Sequence, residues 1–336
     1  LSPSDALHLL DAKFADRVVR NMAVATLSSL ADEDLVLYMP QLLAVLKYEL
    51  YHSSALAEFL LIRAAQSLVV GHYFFWYTKA EVEMDMSITE RFGLLLDVYL
   101  ALCGEYKRNL CDQLYIIGEL TTVAESIKLI PKQQRREILR MKLSKLEFPD
   151  SFGLPLDPSL SVSGIVLDKC KTMQSATVPM WLHFSPSDNC ALADPYIFKA
   201  GDDLRQDILT LQMLSLMDKL WREEGYDFHI NAYKVVATGA NSGLIEVVKG
   251  SCTIADVHKE HGGFTAAVMK TTSLEKWLRA RCTTTEYETT VRRNFIVSCA
   301  GYAVATYVLG IGDRHNDNIM VQKSGNIFHI DFGYIL

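Results

Sequence analysis

Apolar residues recur at helical intervals through the first 147 positions and gather into short β-branched and aromatic runs thereafter. In the first part, Ser4 precedes Asp5-Ala6-Leu7-His8-Leu9-Leu10, which predicts an N-cap and a helix. Leu35, Leu42, Leu43, Leu46 and Leu50 predict a second helical stretch, broken at Pro40. Phe59, Leu60, Ile62 and Leu68 predict another, closed at Gly71, and Phe92, Leu94, Leu95, Leu96, Val98, Tyr99 and Leu102 one more. Short paired helices with almost no strand signal predict a stacked α-solenoid, although no fixed repeat period stands out.

The composition changes at Glu147. Residues 148–164 carry Pro149, Pro155 and Pro158 among Ser and Gly, which reads as an interdomain linker. Beyond it, Ile165-Val166-Leu167 and Pro195-Tyr196-Ile197-Phe198-Lys199 read as strands, and Asp202 as the cap of a helix bearing Leu204, Ile208, Leu211 and Leu214. Further strands are predicted over 232–238 and 244–248, around Asn241-Ser242-Gly243. Ser324-Gly325-Asn326 between two apolar runs predicts a hairpin. The expected organisation is an α-helical solenoid domain over 1–108, connecting helices and linker over 109–164, and an α+β two-lobed, kinase-like catalytic domain over 165–336.

Half of the 336 residues are apolar, enough for two domains with substantial cores. The formal charge of -7 supplies no basic footprint for nucleic acid and no Lys/Arg excess for an anionic lipid surface. Cys103, Cys111, Cys170, Cys190, Cys252, Cys282 and Cys299 include no C-x-x-C pair and read as thiols of a reducing compartment. The opening residues read as part of a helix rather than as a signal peptide, as expected of a fragment. Residues 294–312 lack charge, but Asn294, Ser298, Thr306 and the run into Asp313 predict a buried helix presenting a loop, not a membrane span.

That loop carries the chemistry. Asp313-Arg314-His315-Asn316-Asp317-Asn318 is followed by Asp331-Phe332-Gly333. Asp313 and Asn318 have the interval of the Asp and Asn in the protein-kinase catalytic loop, where the Asn and a later D-F-G Asp bind metal. Asn318 and Asp331 are oxygen donors of the kind Mg²⁺ prefers, so the chain reads as a holder of metal-bound ATP. Lys199, at the end of a predicted strand, is placed to meet phosphates, oriented by Asp207 on the following helix. No glycine-rich phosphate loop precedes it; Met173-Gln174-Ser175-Ala176-Thr177-Val178-Pro179 stands there instead.

The inverted D-R-H order with D-F-G resembles the phosphatidylinositol 3- and 4-kinase superfamily. The blocks Phe198 to Asp207, Gly243 to Val248 and Gly310 to Asp313 resemble class I phosphatidylinositol 3-kinase catalytic subunits. So do the upstream blocks Val45 to Glu49, Gly71 to Trp76 and Arg91 to Leu96, which are similar to that family's helical domain. The resemblance implies ATP and Mg²⁺ as cofactors, with Lys199 on the phosphates and Asp207 and Tyr233 at the polar back of the nucleotide pocket. It implies a hinge at the main chain of Glu246 and Val248, and apolar walls from Met173, Trp181, Ile197, Ile245, Met320, Phe328 and Ile330. Ser175 would sit over the phosphates, and Asn318 and Asp331 would bind the metal. His315 matches the family's general base, with Asp313 as rival or orienting group and Arg314 paired with a nearby acid.

The implied reaction is ATP-dependent phosphorylation of the inositol 3-hydroxyl of a phosphoinositide, phosphatidylinositol 4,5-bisphosphate foremost, in phosphoinositide signalling. Implied partners are the lipid at a membrane surface, a regulatory adaptor subunit and a Ras-type GTPase, with cytoplasmic residence and recruitment to the inner plasma membrane. Thr177 departs from the Lys that class I enzymes generally carry in the phosphate loop. The chain stops at Leu336, before the segment that reads the head group in this family, which implies an incomplete catalytic domain, inactive alone. A Ser/Thr protein kinase of the related large family and a non-catalytic helical scaffold are the alternatives; the hinge and helical blocks disfavour the first, and intact Lys199, His315, Asn318 and Asp331 the second.

Overall fold

The computed structural model describes residues 2–84, 86–188, 194–260 and 273–335. The chain forms two compact units, 1–204 with 235–246, and 205–234 with 247–336. Cys190 lies outside the described residues, and the other six cysteines are free thiols.

The first unit opens with α1 (Pro3–Leu9), α2 (Arg17–Leu27), α3 (Asp32–Leu46), α4 (Ala55–Gln66), α5 (Leu68–Met84), α6 (Thr89–Leu102), α7 (Tyr106–Lys128) and α8 (Arg135–Leu143). Helices α3, α4 and α6 pack against α5, whose Phe74, Phe75 and Trp76 are fully buried, while α1 packs on α2 and α7 on α8. Three local expectations change. The first helix is capped by Ser2, not Ser4, in a capping box with Asp5. Helix α3 runs through Pro40, because Leu35, Met39, Leu42, Leu43 and Leu46 bury one continuous face that outweighs the ~3 kcal/mol cost of an interior proline. Gly71 does not close a helix; it sits in the first turn of α5, where a Cβ would collide with the Tyr99 hydroxyl and the Ala64 carbonyl. That glycine lets α4, α5 and α6 approach closely.

The stretch read as a linker is a hairpin. β1 (Phe152–Leu154) and β2 (Asp157–Ile165) pair antiparallel, and Phe152, Leu154 and Leu156 are 1% exposed. Alternating apolar residues make it a strand pair, while Pro155 occupies the connecting turn and Pro158 the second position of β2. The hairpin docks on the helices through polar contacts. His72 Nε2 bonds the Pro155 carbonyl at 2.8 Å, the Tyr73 hydroxyl donates to Leu156 O at 3.0 Å, and Gly153 N–H donates to Asn109 Oδ1 at 3.2 Å. The strand expected at 165–167 ends at Ile165, and a 3₁₀ turn, Leu167–Lys169, follows.

The sheet continues through β3 (Lys171–Thr172), β4 (Met180–Pro186), β5 (Pro195–Ala200), β6 (Val235–Gly239) and β7 (Ser242–Glu246). Its antiparallel order is β1-β2-β4-β5-β7-β6, with β3 paired to β4. Met180, Leu182, Phe184, Tyr196, Phe198, Ala200 and Leu244 join the helices in one hydrophobic core that reaches from Ala6 to Leu244. This burial, at roughly 25 cal/mol per Å² of apolar surface, is what binds sheet to helices.

In the second unit, α9 (Arg205–Glu223) begins two residues beyond Asp203 rather than at an Asp202 cap, with Leu211 and Leu214 buried. β8 (Ser251–Thr253), α10 (Ile254–Glu260) and α11 (Ser273–Arg279) follow; a π-turn over Tyr287–Val291 then leads into α12 (Arg292–Val308). Only one stripe of α12 is buried, Ser298, Gly301, Tyr302 and Ala305, while Ile296, Val304, Tyr307 and Val308 are exposed. The helix expected to be buried is therefore buried along one stripe and exposed on its other face. Among the described residues no helix is long and apolar enough to cross a membrane. β9 (Ile319–Gln322) and β10 (Ile327–His329) form the predicted hairpin, with β8 on the other side of β9.

Candidate active site

The hairpin β9–β10 turns at Gly325, whose φ of 94° is open to glycine at low cost. Its register pairs His329 with Ile319 and Phe328 with Met320. At the open end, Ile330 N–H donates to Asn318 O at 3.0 Å. Thirteen positions of sequence thus fold back so that Asn318 lies across from the residue preceding Asp331. The same alternation sets Met320, Phe328 and Ile330 on one face. Phe328, 2% exposed, packs edge-on against Tyr233 at 6.2 Å, so it is core as much as wall.

The D-R-H loop is held to this hairpin. Asn318 Nδ2 donates to Asp313 O at 3.0 Å, and Asn318 N–H donates to His315 O at 2.9 Å. Asp313 and Asp331 both have left-handed backbone, φ 52° and 60°. Gly312 N–H donates to Tyr334 O at 2.9 Å, and Phe332 N–H to Asp207 Oδ1 at 3.1 Å. Burial, and then the charge of Asp207, hold the Tyr233 hydroxyl protonated far above the usual phenol range. Arg314 was expected to pair with an acid. Instead its Nε donates to Gly312 O at 2.7 Å, Nη1 to Ile330 O at 2.8 Å and Nη2 to Asp331 O, with the guanidinium 5.5 Å from the Phe332 ring centre.

His315 and Asp313 are half exposed, with His315 Nε2 3.9 Å from Asp313 Oδ2. His315 Nδ1 accepts the Asp317 N–H at 3.2 Å, so a neutral ring in this rotamer carries its proton on Nε2. Behind the site, burial pushes the pKa of His329 down to about 4; its ring lies 4.7 Å from that of Tyr302, and its Nδ1 has no hydrogen-bond partner among the described residues.

In the first unit, register sets Trp181, Ile197 and Ile245 side by side across β4, β5 and β7. With Lys199, two residues along β5, they share the half-buried face of the sheet, opposite the core face. The Trp181 indole is fixed from two sides. Its Nε1–H donates to His183 Nε2 at 3.0 Å, and Lys171 Nζ lies 4.8 Å from the ring centre. Burial and the neighbouring Lys169 and Lys171 lower the His183 pKa, which keeps its lone pair available. Lys199 Nζ pairs with Asp202 Oδ2 at 3.1 Å, a partner read from sequence only as a helix cap. Met173 and Ser175 stand in the β3–β4 turn, closed by Met173 N–H to Pro179 O at 2.8 Å and Val178 N–H to Ser175 O at 3.2 Å. Glu246 ends β7 opposite Tyr196, and Val248 lies just beyond the strand in the second unit.

Two family descriptions match this chain: "Phosphatidylinositol 3- and 4-kinase" over residues 195–336 and "Phosphoinositide 3-kinase family, accessory domain (PIK domain)" over 1–112. Over its full length it is 47% identical to "Phosphatidylinositol 3-kinase 2" and 47% identical to "Phosphatidylinositol 3-kinase 1", both of Dictyostelium discoideum. It is 42% identical to human "Phosphatidylinositol 4-phosphate 3-kinase C2 domain-containing subunit beta". The chain belongs to the phosphatidylinositol 3-kinase family. It spans 18–21% of the length of these curated relatives.

The donor set at the hairpin mouth is suited to a hard divalent cation. Asn318 gives its amide N–H to Asp313, which leaves its side-chain oxygen as an acceptor, and Asp331 adds a carboxylate. Among the described residues no cluster of three or more His, Cys, Asp or Glu could hold a metal. One amide and one carboxylate suit Mg²⁺, which takes few protein ligands and completes its shell with phosphate and water.

Proposed function

We propose that the protein bearing this chain transfers the γ-phosphoryl group of ATP to the 3-hydroxyl of a phosphoinositide. The observation that carries this reading is the tie of Asp313, His315, Asn318 and Asp331 into one hydrogen-bonded loop and hairpin mouth. Asn318 and Asp331 would hold Mg²⁺, which would supply charge neutralisation for the phosphoryl group being transferred. Lys199 meets the phosphates, with Ser175 over them. Trp181, Ile197, Ile245, Met173, Met320, Phe328 and Ile330 flank adenine, the Glu246 and Val248 main chain takes its edge, and Asp207 and Tyr233 form the polar back.

As the hydroxyl oxygen bonds to Pγ and the bond to the β-phosphate oxygen breaks, the hydroxyl proton passes to His315. Both routes require the ring to give up the Asp317 N–H bond: Nδ1 accepts directly, or Nε2 accepts after the tautomer shifts. Asp313, 3.9 Å away, then stabilises the imidazolium. The head group is already phosphorylated at the 4-position. A human relative's name specifies phosphatidylinositol 4-phosphate, and the class I resemblance points to the 4,5-bisphosphate.

With a net charge of -7, this chain offers no electrostatic pull toward anionic lipid, so recruitment from the cytoplasm to the inner plasma membrane falls to other segments. Those segments would engage an adaptor subunit and a Ras-type GTPase.

His315→Ala in the full-length protein should lower lipid phosphorylation at least ~100-fold while ATP binding persists. Vesicles of phosphatidylinositol, its 4-phosphate and its 4,5-bisphosphate, beside a Ser/Thr peptide, rank the acceptors. Transfer to peptide alone makes the protein a protein kinase, and no ATP-dependent turnover makes it a scaffold.

A further inference from the structure

We propose that Arg314 is a positioning residue whose guanidinium clasps the D-R-H loop to the D-F-G segment and thereby fixes the Asp331 carboxylate. This rests on the reading of Asp331 as a metal ligand. The fork reaches three main-chain carbonyls from two separate stretches, Gly312 on one side and Ile330 and Asp331 on the other. These carbonyls flank the two positions of left-handed backbone. Gly312 precedes Asp313, and Ile330 precedes Asp331, with φ 52° and 60°. A non-glycine residue held there costs of order 1–2 kcal/mol and persists only when its surroundings fix it.

The hydrogen bonds of this guanidinium among the described residues go to main-chain carbonyls, one of them that of Asp331 itself, rather than to a carboxylate. The ring of Phe332, fully buried, lies beneath the guanidinium, 5.5 Å from its carbon to the ring centre. What the site uses is the planar fork with its several fixed donors, not positive charge alone. Lysine carries three N–H donors on one nitrogen, a compact point charge that cannot reproduce the spread of Nε, Nη1 and Nη2 across these carbonyls.

The experiment uses the full-length kinase with Arg314→Lys and Arg314→Ala. Mn²⁺ binding in the presence of ATP is followed by electron paramagnetic resonance, and kcat and KM for lipid are measured in parallel. Both variants should bind Mn²⁺ about 10- to 100-fold more weakly, the effect of losing a supporting contact behind a metal ligand. Their kcat should fall in step while KM for lipid stays constant, and methylguanidinium should restore part of the loss in Arg314→Ala only. Wild-type Mn²⁺ affinity in Arg314→Lys overturns the clasp.

If both variants fail to fold, hydrogen exchange of the wild type decides. Amides of Gly312, Ile330 and Phe332 should open in one concerted event, and independent opening overturns the proposal. Asp331→Asn separates the two levels. If Mn²⁺ binding survives that change, the metal-site reading falls whatever Arg314 does. If it is lost while Arg314→Lys behaves as wild type, only the clasp falls.

Discussion

His72 shows how much one buried ring contributes. It is fully buried, bonded to the Tyr106 hydroxyl and the Pro155 carbonyl at 2.8 Å each, and burial pushes its pKa from 6.5 down to about 4. The unfolded ring takes up a proton below pH 6.5 and the folded ring only near 4, so its stabilising effect is complete above 6.5 and lost as pH falls toward 4. Between pH 7 and 5 this alone should cost about 2 kcal/mol, read from urea midpoints, and His72→Gln should flatten that slope while lowering stability throughout. At this scale the sequence was legible where chemistry is spaced locally. The D-R-H to D-F-G interval leads to the hairpin mouth because one short turn closes it. Partners of Arg314 and Lys199 were not legible, because a carbonyl acceptor leaves no side-chain signature and Asp202, Asp203 and Asp207 look alike along the chain.

Helices and strands were legible wherever their apolar period was clean, as in α6, β5 and the β9–β10 pair. Misreadings arose from Pro and Gly, which punctuate a chain only when burial does not override them. Pro40 lies inside α3, Gly71 inside α5, and Pro155 within a hairpin rather than a linker. One contact between elements carries a prediction. From α5, Lys79 donates to Glu83 Oε1 at 2.5 Å and to Thr238 O at 3.0 Å, and Glu83 accepts Ala240 N–H at 3.1 Å in the β6–β7 turn. Asn241 O of that turn in turn accepts Gly201 N–H at 2.6 Å and Asp202 N–H at 3.1 Å, beside the carboxylate paired with Lys199. Glu83→Ala should therefore speed amide exchange at Ala240 and Gly201 about tenfold, since a charged-acceptor bond contributes ~1.5 kcal/mol or more. Unchanged exchange at Gly201 would confine the effect to the turn.

At the scale of the molecule, the split into a helical part and a mixed part was visible in composition, but the boundary that composition suggests is not a mechanical one. Helices and sheet of the first unit share one core from Ala6 to Leu244, and the proline-bearing stretch lies inside it. Expressing residues 165–336 alone should remove Phe152, Leu154, Leu156 and Val162 from that core together with the helices they touch. The product should be mostly insoluble, whereas the whole chain should show one cooperative thermal transition for the first unit, measured by calorimetry.

The hairpin of β1 and β2 also restricts how such a protein can be rearranged during evolution or in the laboratory. Because its strands belong to the sheet while its turn is fastened to α5, a chimera that grafts the helices of one relative onto the catalytic half of another must carry both surfaces of this seam. A recombination point on either side of it leaves a mismatched joint, so the neighbouring halves are expected to be inherited together.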